Sequence, residues 1–219
     1  MSSDDELFWR LFALIQVLPE LPPKQVISWL GGDKAPSASL GWLEGLSISQ
    51  LEATYPGDAD CMTFARWQQV SACLHGELPE HLSVVPPTHR PAQIQAAFAS
   101  QDGLNIDGHF GQCRLFFIYG FDENGYWLTG LRRFAAVAGQ EDNETRARLV
   151  HDCQLLFCEA IGGPAAARLI RYNIHPMKVT AGTTIESQCQ SVLQMLTSSL
   201  PPWLARRLGR DNPLEQRVF

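Results

Sequence analysis

The chain has 219 residues, a formal net charge of −6 at neutral pH and an apolar content of 45%. That length favours two modest domains over one, and the apolar fraction is enough for real cores. The acidic balance argues against a general nucleic-acid binder, which would carry a basic stripe, so any anionic ligand has to be met by local positive charge.

The start, Met1-Ser2-Ser3-Asp4-Asp5-Glu6, is acidic and lacks the basic n-region of a signal peptide. No run approaches the roughly 18 apolar residues of a membrane span. A cytoplasmic protein with no membrane partner is expected, its cysteines reduced. Cys61, Cys73, Cys113, Cys153, Cys158 and Cys189 include no C-x-x-C pair, so a zinc knuckle or a self-sufficient four-cysteine iron–sulfur site is not expected.

Residues 1–78 read as short helices punctuated by prolines. Leu7, Phe8, Leu11, Phe12, Leu14 and Ile15 recur at helical spacing, with Asp4 and Asp5 as candidate N-terminal caps, and Pro19, Pro22 and Pro23 end that helix. Val26, Ile27, Trp29 and Leu30 form a second apolar segment, and Ser47 with Gln50 has capping-box spacing. Met62, Phe64, Ala65, Trp67, Val70 and Leu74 support a longer last helix, giving a small all-helical domain. Residues 79–91 are proline-rich and read as a linker, in or beside which His75, His81 and His89 are solvated.

From residue 92 the pattern alternates. Strands are expected at 93–99, 114–121, 126–134, 153–159 and 175–180, and helices at 142–151, 163–172 and 184–198, with an Asn124-Gly125 hairpin turn between the second and third strands. Hairpin connections followed by β–α repeats give a mixed sheet with helices packed on it, an α/β domain over 92–199. The tail, 200–219, is basic; Trp203, Leu204 and Leu208 suit packing on the core as well as contact with a partner.

Two stretches stand out. The first, Asp102-Gly103-Leu104-Asn105-Ile106-Asp107-Gly108-His109-Phe110-Gly111-Gln112-Cys113, lies between two strands, and its glycines allow His109 to sit at the tip of a tight loop. The second runs from Asp152-Cys153 through Cys158-Glu159-Ala160-Ile161-Gly162-Gly163-Pro164 to Ile174-His175-Pro176. Pro164 suits a first helical turn, so the Gly162-Gly163 turn opens a helix whose free N–H groups attract an anion. Asp102 and Asp107 suit turns better than a hard-metal pair, Cys153 and Cys158 are expected on opposite faces of a strand, and Arg114, Arg168 and Arg171 are candidates to neutralise an anionic ligand.

These two blocks resemble the NifX/NifY/NafY family of nitrogenase cofactor-assembly proteins, over roughly residues 92–199. The resemblance implies a ribonuclease H-like three-layer fold with the first and fourth strands adjacent at the centre, so that both blocks flank a topological switch point. It implies a non-enzymatic carrier of the iron–molybdenum cofactor or a precursor iron–sulfur cluster. His109 would ligate iron, Cys113 would be a second candidate ligand, and Gly108, Gly111, Gly162 and Gly163 would shape the binding site. The helical domain, which carrier-only members lack, would engage apo-dinitrogenase, the MoFe protein, and points toward NifY or NafY; other cofactor-assembly proteins are further candidate partners. Two alternatives stay open: an interaction module that stabilises the apo-partner without carrying a cluster, and a metal-dependent nuclease of the same fold.

Overall fold

The computed structural model describes residues 3–31, 39–85, 89–198 and 200–209, and the chain divides into two units, Met1–Ser83 and Val84–Phe219. In the first, the described helices are α1 (Ser3–Val17), α2 (Pro23–Gly31), α3 (Leu40–Glu44), α4 (Ile48–Ala53) and α5 (Phe64–Leu74). Trp9, Ala13, Leu14, Leu18, Val26, Leu30, Leu43, Val70 and Leu74 form its core. Arg10 crosses that core and donates to the Leu74 carbonyl at 2.9 Å and to Glu44 at 2.9 Å, tying α1 to α5 and α3.

Three local expectations are corrected here. Asp4 and Asp5 sit inside the first turn of α1, where they complement the helix dipole instead of capping it. Ser47 makes no side-chain cap, so no capping box forms; Thr63 does cap α5, accepting from the Arg66 N–H at 3.3 Å. Phe64 is 77% exposed, because the buried stripe of α5 is Val70, Cys73 and Leu74, and a residue six positions before Val70 falls on the opposite side of a 3.6-residue turn.

The proline-rich segment is docked where it is described. Leu82 is fully buried and His81 Nε2 bonds Gln16 Oε1 at 2.7 Å, both within the first unit. Within the second, the Val85 N–H donates to the Leu128 carbonyl at 2.8 Å, and Arg90 chelates Asp122 at 2.9 and 2.6 Å while lying 3.8 Å over the Trp127 ring. Pro86, Pro87 and Thr88 lie outside the described residues.

The second unit is a five-stranded mixed sheet in the order β3-β2-β1-β4-β5, built from β1 (Ile94–Ala99), β2 (Leu115–Asp122), β3 (Gly125–Arg133), β4 (Leu155–Cys158) and β5 (His175–Lys178). β1 lies at the centre, antiparallel to β2 and parallel to β4, so the first and fourth strands are adjacent as expected. Strand alternation divides the apolar residues between two faces. Ala97, Ala99, Phe116, Ile118, Leu156 and Cys158 face Ala147 of α6 (Asp142–Leu149), its C-cap Val150, and Ala165 and Leu169 of α7 (Gly163–Arg171). On the other face Phe98 stacks on Phe157 with ring centroids 4.9 Å apart and meets Tyr119 edge-on at 5.5 Å, and α8 (Ile185–Ser198) packs there against β2 and β3.

The hairpin differs in detail from expectation. Asp122 pairs with Gly125, so the two-residue loop is Glu123-Asn124 and Gly125, at φ 152°, already belongs to the ladder. Neither Glu123 nor Asn124 adopts positive φ; the Asp122 carboxylate instead closes the turn by accepting the Asn124 N–H at 2.8 Å. Part of the tail forms α9 (Pro202–Arg207), with Leu204 and Ala205 buried and the Trp203 ring stacked on His175 at 5.0 Å; residues 210–219 lie outside the described residues. Among the described residues no helix is long and apolar enough to cross a membrane.

Candidate functional site

β1 ends at Ala99, and residues 100–114 return the chain to β2 across the carboxyl edge of the sheet. The Asp102 carboxylate accepts the N–H groups of Leu104 and Asn105 and the Asn105 side-chain amide, each at 2.8 Å, and the Ser100 hydroxyl at 3.1 Å. Burial alone would push this carboxyl up, but the hydrogen bonds outweigh it and hold it below its ordinary value. Asp107 accepts the Gln101 N–H at 2.9 Å and the Gln101 amide at 3.2 Å. Both carboxylates thus serve the turns.

The three glycines of this loop serve different needs. Gly103 has φ +78°, a left-handed conformation, and an added Cβ would sit 2.6 Å from the Phe117 ring. Gly108 has no unusual φ, yet its N–H donates to the Ala99 carbonyl at 3.0 Å and a Cβ there would lie 2.8 Å from the Ala99 side chain and 2.9 Å from its backbone. Gly111 needs neither freedom; a Cβ would meet only Asn143 Oδ1, at 3.4 Å.

At Gly108 the first block meets the second. The Glu159 N–H donates to the Gly108 carbonyl at 3.0 Å and the Phe110 N–H to the Ala160 carbonyl at 2.9 Å, so His109 and Ala160 form an isolated parallel bridge just past the ends of β1 and β4. On this strand-like backbone neighbouring side chains diverge: Phe110 is fully buried in the α6 and α7 face, and His109 is exposed. The chain then turns tightly, the Gln112 and Cys113 N–H groups both donating to the His109 carbonyl at 2.9 and 2.8 Å. The parallel strands β1 and β4 end at the same edge, and their connections diverge toward β2 and β5, which makes this the topological switch point of the sheet.

Beyond the bridge, Gly162 is the N-cap of α7 at φ −76° and ψ 150°, with Pro164 in the first turn. Neither glycine of this pair is required by the backbone: both are exposed, neither has positive φ, and an added Cβ at either would meet nothing within 4 Å. The first-turn N–H groups of a helix have no acceptor within it, so this end of α7 carries partial positive charge.

Other candidates fall elsewhere. Cys113 is 5% exposed, packs in the α6 and α7 face and gives its thiol to the Leu115 carbonyl at 2.9 Å, while burial pushes that thiol up. The structure thus places Cys113, the second candidate ligand, in the core and not beside the exposed His109 ring. Cys153 and Cys158 lie in the same core face instead of opposite faces, because Cys153 precedes β4 and escapes strand alternation; burial drives their thiols up to about 12 and about 11. Arg168 is paired with Glu141 and, at 3.4 Å, with Glu144, whereas Arg114 and Arg171 are exposed. His175 is exposed on β5 against Trp203. Among the described residues no group of three or more His, Cys, Asp or Glu side chains could hold a metal ion.

One contributor had no signal in the sequence. α6 is a polar helix, DNETRARL, yet Arg146 on it is 4% exposed, its Nε donating to the Cys113 carbonyl at 3.0 Å and its guanidinium lying 3.7 Å over the Phe134 ring.

Comparison with known proteins bears on the same region. A family model described as dinitrogenase iron-molybdenum cofactor matches residues 92–195. Protein NifY of Klebsiella pneumoniae is 54% identical over 209 residues, 95% of this chain and 91% of that protein. Protein NifY of Azotobacter vinelandii is 33% identical over 146 residues, 64% of this chain and 60% of that protein, and protein NifX of Sinorhizobium fredii is 31% identical over 139 residues, 59% of this chain and 87% of that protein.

Proposed function

From the premise that this chain belongs to the NifX/NifY family, with a role in assembling or carrying the nitrogenase cofactor and not in catalysis, we propose that its second unit holds the iron–molybdenum cofactor or a precursor cluster as cargo. The observation that carries this is the bridge of the exposed His109 to Ala160, the residue two positions before Gly162 and the open Gly162-Gly163 end of α7. His109 supplies one nitrogen ligand to iron, and the first-turn N–H groups of α7 face the anionic cargo. A single protein ligand suits a carrier that must release what it holds. Gly108 and Gly111 shape the loop that presents the ligand, and Gly162 and Gly163 keep space clear for a large cluster.

The strand order, with β2 antiparallel and helices on both faces of the sheet, supports reading this unit as ribonuclease H-like. β1 reads IQAAFA and β4 reads LLFC, without a carboxylate on either central strand, which argues against the nuclease alternative. The helical unit is the part that engages apo-dinitrogenase, a division of labour in which residues 1–78 bind the partner and residues 92–219 bind the cluster.

Anaerobic gel filtration of the purified chain mixed with isolated cofactor tests the carrier reading. Iron and molybdenum should co-elute with the protein. Metal-free protein that still binds apo-dinitrogenase would leave the pure interaction module in its place.

A further inference from the structure

We propose that Arg146 is the positioning residue for the His109 loop, acting from beneath through the carbonyl of Cys113; the inference rests on the carrier reading for its purpose and on geometry for its substance. A guanidinium at 4% exposure on a short polar helix is costly to keep, because a buried charge without full compensation destabilises the fold. Here compensation is incomplete. Nε donates to the Cys113 carbonyl at 3.0 Å and the cation lies over Phe134, but Nη1 is buried with no hydrogen-bond partner, and the nearest carboxylate oxygen, of Asp142, is 3.8 Å away. One turn earlier on the same helix, Asn143 Oδ1 is likewise buried and unpartnered, 3.4 Å from where a Cβ on Gly111 would be.

What Arg146 gains for that cost is hold on one peptide. The turn that follows His109 begins at the His109 carbonyl, which accepts the Gln112 and Cys113 N–H groups. It ends at the Cys113 carbonyl, which accepts Arg146 Nε. Upstream, the backbone bonds between Gly108 and Ala99 and between Phe110 and Ala160 fix the entry to the loop. Arg146 fixes the exit, so the imidazole projects from a turn clamped at both ends. Such support around a metal ligand typically changes metal affinity by about 10- to 100-fold when removed.

The test compares wild type with Arg146→Met, Arg146→Lys and a control, Arg132→Met, whose guanidinium is anchored on the Leu149 carbonyl and on Asp152 instead. Two quantities are read: amide hydrogen exchange at Gln112 and Cys113, and retention of isolated iron–molybdenum cofactor after gel filtration. Arg146→Met should exchange those two amides about tenfold faster and weaken retention by at least about tenfold, with Arg146→Lys intermediate and Arg132→Met like wild type in both. A folded Arg146→Met with wild-type exchange and retention overturns the proposal, as does an Arg132→Met that matches it. Should Arg146→Met fail to fold, wild-type values in Arg146→Lys overturn it equally. If wild type itself retains no cofactor the carrier reading fails, while the exchange measurement still decides whether Arg146 clamps the loop.

Discussion

Residues 100–114 are held at almost every step by their own side chains and backbone, with Asp102 accepting four hydrogen bonds and Gly108 pressed against Ala99. Residues 159–164, which meet them edge to edge, contain two glycines with nothing around them. Both stretches are glycine-rich in sequence, but the physical demand differs. In the first loop Gly103 and Gly108 are required by the fold, one by a left-handed backbone and one by close approach. At Gly162 and Gly163 the folded chain makes no such demand, and the proposed cargo site uses the space they leave open.

Substitution at Gly108 should therefore have the largest effect on stability. A Val there would force its side chain into Ala99, and overpacking of this kind costs about 3 kcal/mol, read as a depressed melting temperature with loss of cargo binding as a consequence. Gly103→Ala comes next: placing a Cβ on a left-handed residue against the Phe117 ring should cost about 1–2 kcal/mol in a denaturant titration. If either variant melts like wild type, the first loop is not built as described.

Gly163→Ala should move the other way. Alanine suits a helix start better than glycine, so stability should change by less than about 1 kcal/mol, in the stabilising direction. Cofactor retention should nevertheless fall, because the methyl group would enter the space that the proposed cargo site uses. Full retention would show that the open glycines serve something else.

The contrast also explains what was legible in the sequence. Strand alternation and helical periodicity give β1 through β4, α7 and α8 to within about two residues, since each has a buried face that its own sequence writes, whereas β5 and α6 fall within the same margin although β5 is mostly exposed and α6 has no apolar stripe. The bridge between His109 and Ala160 joins residues 51 positions apart and has no local signature. Cys113 reads as an available thiol until tertiary packing buries it, and Arg146 reads as a solvated charge because its helix has no apolar stripe to suggest that one face is covered. Glycine type alone does not distinguish a strained turn from an open surface; that takes the neighbours.

The smallest effect belongs to the helical unit and serves as a remote control. The hydrogen bond from Arg66 holds the Glu20 carboxyl down to about 2 from an ordinary 4.5, with Tyr55 adding a second donor. A depressed carboxylate stabilises the fold above its unfolded value, so this contribution is present above about pH 4.5 and disappears as pH falls toward about 2. The pair is partly exposed and screened, so Glu20→Gln should cost less than about 1 kcal/mol at neutral pH, with the difference from wild type vanishing in acid melts. Cargo retention should be untouched.

The central claim is that His109 ligates the cargo while the fold does not depend on it, and metal content after anaerobic gel filtration of His109→Ala, beside a thermal melt, addresses both halves. The exposed ring can be removed without opening a cavity, so the melt should match wild type and association with apo-dinitrogenase should persist, while bound iron and molybdenum should fall by at least about tenfold. Wild-type metal content in a normally melting His109→Ala would contradict the assignment.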